Sequence, residues 1–138
     1  MIPIKVVSGD PKPEPRSPAA SALQYLQPGA LNLAALPPLS LYIHYPWCVR
    51  KCPYCDFNSH AVPAGGIAER AYVTALQRDL EHAATGAVGR ELVSVFFGGG
   101  TPSLFSPAAI GRVLEHARGL LPFAADVEIT LEANPGTV

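Results

Sequence analysis

The sequence predicts an α/β fold with parallel strands in the order β-α-β-α-β, and three observations carry that expectation. Apolar residues alternate or run together over short stretches at 41–45, 92–97 and 126–132. Between those stretches they recur at the three-to-four spacing of amphipathic helices. Glycine or proline punctuates each change of pattern. Strands separated by helical segments pair in parallel through right-handed crossovers.

Residues 1–38 contain eight of the fifteen prolines. Proline lacks an amide donor and favours extended polyproline conformations, so this segment is expected to be a flexible, disordered extension. Short helical turns are conceivable at 22–26 and 31–36, and the folded domain is expected over 39–138. Its first strand is Leu41-Tyr42-Ile43-His44-Tyr45, stopped by Pro46. A cysteine-bearing loop follows, through Gly65-Gly66. From Ile67 to about Ala84, Val73, Leu76, Leu80 and Ala83 mark one buried helix face, and Gly86 is expected to end the helix.

Leu92 to Phe97 reads as a buried strand running into Gly98-Gly99-Gly100. Ser106-Pro107 starts the second helix, with the hydroxyl as N-cap and proline in the first turn. Ile110, Val113, Leu114, Ala117 and Leu121 form its apolar stripe. Asp126 to Glu132 alternates as a third strand, closed by Asn134-Pro135-Gly136. Ligands of such sheets collect at the carboxyl ends of the strands. The cysteine loop, the triple glycine and Glu132 all fall there.

At 138 residues there is room for one modest domain. A hydrophobic fraction of 49% against 15% charged residues excludes global disorder. The net charge of −1 gives no reason to expect nucleic acid as a partner. No apolar run is long enough for a transmembrane segment, and the N-terminus lacks the apolar core of a signal peptide. Reduced cysteines without an export signal imply the cytoplasm, with peripheral membrane association still open.

Cys48, Cys52 and Cys55 are the only cysteines, spaced C-x3-C-x2-C. Three thiolates this close can hold three corners of a cubane iron–sulfur cluster and leave the fourth iron open to a small molecule. A disulfide framework wants an even count in a secreted chain. A structural zinc site wants four ligands, with His60 the nearest candidate for the fourth. The ferredoxin spacing is absent. The glycine run lets backbone approach a ligand closely, or simply turns the chain; it matches no phosphate-binding fingerprint. Glu132 is either a polar ligand contact or a residue emerging into solvent, and Glu128 is its competitor on the same face. Tyr42 and Tyr45 offer aromatic faces just before the cysteines. His44 reads best as a hydrogen-bonded structural histidine, and Tyr54 and Phe57 as a water shield for a cluster.

These residues resemble the radical S-adenosylmethionine superfamily. The strings from Leu41 to Cys48, Cys52 to His60, Phe97 to Ser103 and Glu132 to Thr137 are similar to its branch of oxygen-independent coproporphyrinogen III oxidases and HemW-like haem chaperones. The resemblance covers about residues 39–138. It implies the β-α-β-α-β start of a partial (β/α) barrel, with Cys48, Cys52 and Cys55 holding a [4Fe–4S] cluster. The open iron would chelate S-adenosylmethionine, and one electron would cleave the sulfonium to a 5′-deoxyadenosyl radical. Tyr42, Gly99, Gly100, Thr101 and Glu132 match positions that contact S-adenosylmethionine in this branch, and Tyr54 would offer main-chain contact to the adenine.

The oxidases carry a further cysteine two residues after the third ligand, where this chain has Phe57. That favours the haem-chaperone family, whose members bind haem rather than oxidise porphyrinogen. The partners implied are haem, haem-accepting apoproteins of respiration, and an electron donor such as a flavodoxin or ferredoxin. No spacing singles out a haem ligand among His44, His60, His82 and His116. Family members continue well past the third strand, so the chain is expected to be the N-terminal part of a longer barrel, poorly soluble alone.

Overall fold

The protein is described here by a computed structural model covering residues 35–135. The expected proline-rich extension lies outside the described residues, apart from 35–38, which form no helix or strand. Residues 37–135 belong to one compact unit. Its elements are β1 (Leu39–Tyr45), β2 (Trp47–Cys48), β3 (His60–Ala61), α1 (Glu69–Ala84), β4 (Leu92–Gly99), α2 (Pro107–Leu120) and β5 (Phe123–Leu131).

The main sheet has strand order β1-β4-β5, all parallel. Each new strand is added on the same side of the last, the progression of a barrel wall. Tyr42 lies opposite Phe96, and Phe96 opposite Thr130. His44 lies opposite Gly98, one step nearer the carboxyl ends. Strand residues alternate between faces, so the odd-numbered residues of β1 and β4 share one side. Ile43, Tyr45, Val95 and Phe97 from that side form a core with Val73 of α1 and Ala109 and Val113 of α2. Both helices therefore pack on one face of the sheet.

The opposite face carries Tyr42 and Phe96, 57% and 38% exposed, with rings stacked 6.1 Å apart. The expected buried strand at 92–97 is thus covered on one side only. The alternation that decides this is masked by Phe96 and Phe97 being the same residue type. On the helix-bearing side, Ile129 and Leu131 of β5, in register with Val95 and Phe97, are partly exposed.

Local chemistry fixes the ends. Ser106 is extended (φ −64°, ψ 148°) and its hydroxyl accepts from the Ala109 amide, with Pro107 opening α2 as expected. The buried residues of α1 are Val73, Leu80 and Ala84, so the stripe ends one position later than the expected Ala83. Gly86 does not supply the left-handed stop. It lies in a 3-10 turn, Thr85–Ala87, and the positive φ (79°) falls at Gly89. The tighter turn prolongs the helical path by three residues before the chain reverses.

Candidate radical and metal site

The site is assembled where β1, β4 and β5 end. Pro46 stops β1, and the chain then leaves the sheet at Trp47-Cys48 and returns at His60-Ala61. Trp47 pairs with His60 and Cys48 with Ala61, in parallel. The His60 amide donates to the Pro46 carbonyl at 2.6 Å and the Val62 amide to the Cys48 carbonyl at 2.9 Å. The cysteine loop is thereby closed at its neck by backbone.

A cleft of about 580 Å³ opens beside this loop. Cys48, Cys52, Cys55, Gly99, Gly100, Thr101 and Glu132 all line it. The volume is in the range that accommodates a small-molecule cofactor. Tyr54, Lys51 and Asn134 also line it.

Gly99 and Gly100 are required by packing within the chain. Gly99 has φ 111°, and a Cβ there would stand 2.5 Å from the His44 ring. At Gly100 a Cβ would stand 2.6 Å from the Trp47 carbonyl oxygen. The Gly100 amide donates to the Tyr45 carbonyl at 2.6 Å and the Thr101 amide to that of Trp47 at 2.7 Å. The space that the glycines free is thus taken up by the β1–β2 corner, which locks the glycine turn beside the cysteine loop.

Glu132 follows β5; its amide donates to the Phe97 carbonyl at 3.0 Å, and its Oε2 accepts from the Gly99 amide at 3.3 Å. Its competitor Glu128 accepts from the Thr130 hydroxyl at 3.0 Å and does not line the cleft. Tyr42 stands outside the cleft lining, one sheet row back. Its hydroxyl is 3.0 Å from His44 Nδ1. Burial, then the charge of Glu132, push its phenol above the usual range. Tyr45 is fully buried among Tyr72, Phe97 and Phe105, so it faces the core rather than the site.

His44 Nε2 lies 2.8 Å from the Asn58 carbonyl. A carbonyl only accepts, so the proton is on Nε2, and in the neutral ring Nδ1 accepts from Tyr42. This is the hydrogen-bonded structural role expected for His44. His60 pairs with the Asn58 side chain at 3.2 Å and lies outside the cleft lining.

Three polar contacts of the loop went unforeseen. Lys51 Nζ donates to the Phe57 carbonyl at 3.0 Å and to the Ser59 carbonyl at 2.8 Å. Ser59, 1% exposed, places its hydroxyl 3.5 Å from Cys55 Sγ. The Ser59 hydroxyl and then the Phe57 backbone hold the Cys55 thiol below its usual range, and Lys51 adds to this. The partners of Lys51 are main-chain atoms, which leave no spacing pattern in a sequence. Tyr54 and Phe57 are 84% and 71% exposed, so they do not form the expected shield; contact with the Cys52 side chain pushes the Tyr54 phenol up.

The three cysteines are free thiols sharing one cleft, a donor set whose chemistry suits an iron–sulfur cluster. Among the described residues no three or more His, Cys, Asp or Glu gather closely enough for one metal ion.

Residues 42–138 match the Radical SAM superfamily. The chain is 58% identical over 106 residues to the heme chaperone HemW of Escherichia coli, covering 77% of this chain and 28% of that protein. It is 43% identical over 96 residues to the bovine mitochondrial radical S-adenosyl methionine domain-containing protein 1, covering 70% and 21%. A solved structure, the coproporphyrinogen III oxidase HemN from Escherichia coli, a radical SAM enzyme, superposes with a TM-score of 0.66 at 34% identity, covering 73% of this chain and 23% of that one. The chain spans about a quarter of the length of these relatives.

Proposed function

The chain belongs to the radical S-adenosylmethionine superfamily, and from that premise we propose that it acts as a HemW-like haem chaperone, binding a [4Fe–4S] cluster and S-adenosylmethionine and passing haem to respiratory apoproteins. The observation that carries the reading is one cleft bounded by three cysteines, Gly99-Gly100-Thr101 and Glu132, in a chain 58% identical to a heme chaperone.

In this proposal Cys48, Cys52 and Cys55 hold the cluster. Gly99, Gly100 and Thr101 offer backbone and hydroxyl contacts to S-adenosylmethionine, Glu132 takes its ammonium or ribose, and Tyr54 lies at the adenine end. Tyr42 acts at one remove, through His44. When bound, the cluster supplies one-electron chemistry at the sulfonium. The chain's own task is to hold the sulfonium still and keep the cysteine loop in register with the glycine turn. The electron donor would be a flavodoxin or ferredoxin, and the compartment the cytoplasm. No helix among the described residues is long and apolar enough to cross a membrane.

A second reading, a porphyrinogen oxidase, is favoured by the superposition on HemN. Anaerobic reconstitution followed by electron paramagnetic resonance of the reduced protein, with and without S-adenosylmethionine, tests the shared part. A four-iron signal that changes on adding S-adenosylmethionine is expected; zinc without iron or sulfide would overturn both readings. Haem transfer to an apocytochrome without loss of porphyrinogen carboxylates supports the chaperone, and decarboxylation supports the oxidase.

A further inference from the structure

Three successive carbonyls after the third cysteine are held from different directions. The Phe57 carbonyl accepts from the Ser59 amide at 2.7 Å and from Lys51 Nζ at 3.0 Å. The Asn58 carbonyl accepts from His44 Nε2 at 2.8 Å, and the Ser59 carbonyl from Lys51 Nζ at 2.8 Å. Residues 57–59 are thus fixed to β1 and to the middle of the cysteine loop.

The Ser59 side chain lies within this clamp. At 1% exposure it has no water to turn to, so its hydroxyl proton must go to a protein acceptor. Two are in reach: the Phe57 carbonyl at 3.4 Å and Cys55 Sγ at 3.5 Å. A carbonyl oxygen has two lone pairs, and both at Phe57 already have shorter donors. Moreover, 3.4 Å is long for a hydroxyl–carbonyl bond but ordinary for one to the larger sulfur atom. A free thiol can reverse the bond by donating to Ser59 Oγ. A ligating thiolate has no proton to give and accepts.

We propose that Ser59 is a positioning residue for the cluster: its hydroxyl donates to Cys55 Sγ when that sulfur ligates iron, and so raises the cluster's midpoint potential. The inference rests on the cluster assignment proposed above. A donor to a ligand sulfur draws charge off it and stabilises the reduced cluster, which carries one more negative charge. Lys51 makes the arrangement possible by occupying the carbonyl that would otherwise compete for the hydroxyl.

The test is a dithionite titration of anaerobically reconstituted wild type, Ser59→Ala and Ser59→Thr, following the reduced cluster by electron paramagnetic resonance. Ser59→Ala should retain iron and sulfide while its midpoint moves to more negative potential. Ser59→Thr, which keeps the hydroxyl, should return to the wild-type value. An unmoved or more positive midpoint in Ser59→Ala with full iron content overturns the inference, as does a threonine variant as low as the alanine one. Should Ser59→Ala assemble no cluster, the wild type decides by electron–nuclear double resonance. Loss of a coupled proton on transfer to D2O supports the bond, and absence of any exchangeable coupling overturns it. A wild type that takes up no cluster overturns the assignment itself and the inference with it.

Discussion

Glu69, at the start of α1, accepts two hydrogen bonds from Ser106, the N-cap of α2: one from the amide and one from the hydroxyl, each 2.7 Å. The same hydroxyl accepts from the Ala109 amide at 3.1 Å. One serine thus caps its own helix and ties it to the first turn of its neighbour. Ser106→Ala should lower stability by about 0.5–2 kcal/mol, the usual range for a lost cap, measured by thermal denaturation.

The Ser106 amide, then its hydroxyl, hold the Glu69 carboxyl below its ordinary value of 4.5, with Arg112 assisting. A depressed carboxylate contributes stability above its unfolded-state pKa and loses it as pH falls through the folded one. Wild type should therefore lose stability relative to Glu69→Gln as the pH drops below 4.5. Parallel melting curves for the two proteins across that range would refute the coupling.

Phe96 and Phe97 give a one-residue test of the sheet's two faces. Phe97 is fully buried, whereas Phe96 is 38% exposed. Phe97→Ala should cost about 3–5 kcal/mol, and Phe96→Ala clearly less. Equal costs in denaturant titrations would mean that both faces are covered.

The glycine turn should tolerate no side chain. At Gly100 the new Cβ meets the Trp47 carbonyl oxygen at 2.6 Å, while at Gly65 nothing stands within 4 Å. Backbone cannot yield as a side-chain tip can, so Gly100→Ala should cost about 1–3 kcal/mol and loosen the cleft. Gly65→Ala should change stability little. Similar melting temperatures for both variants would be incompatible with the close approach.

Cluster and cosubstrate should separate by mutation. Cys52→Ala should abolish assembly of a full four-iron cluster, read as iron and sulfide per chain. Glu132→Gln should retain the cluster but weaken its spectroscopic response to S-adenosylmethionine. Loss of iron from Glu132→Gln would instead make the carboxylate a support of the cysteine loop.

The fold was legible where periodicity is local. Alternation and helical stripes located the three main strands and both helices, and Ser106-Pro107 marked the start of α2 to the residue. The end of α1 near Ala84 was legible, but the glycine that turns the chain was not, because Gly86 and Gly89 look alike in sequence and only backbone geometry distinguishes them. In the site, the cysteines, glycine run and Glu132 were visible as motifs, and the structure brings them to one cleft. Tyr42 and Tyr54 were visible too, but Tyr42 stands a row behind. Lys51 and Ser59 were invisible because their role depends on how the loop folds back on its own carbonyls.

The neck at Trp47–His60 has an evolutionary consequence. The chain departs and returns at one spot, with the seam made by main-chain groups that most residue types supply equally well. The entropy of closing the loop is met at that seam and grows only slowly with the length enclosed. The stretch inside is therefore a cassette: its length and lettering can drift, or be transplanted, while the barrel wall beneath goes on folding as before. Chemistry and scaffold in this protein are free to change at different rates.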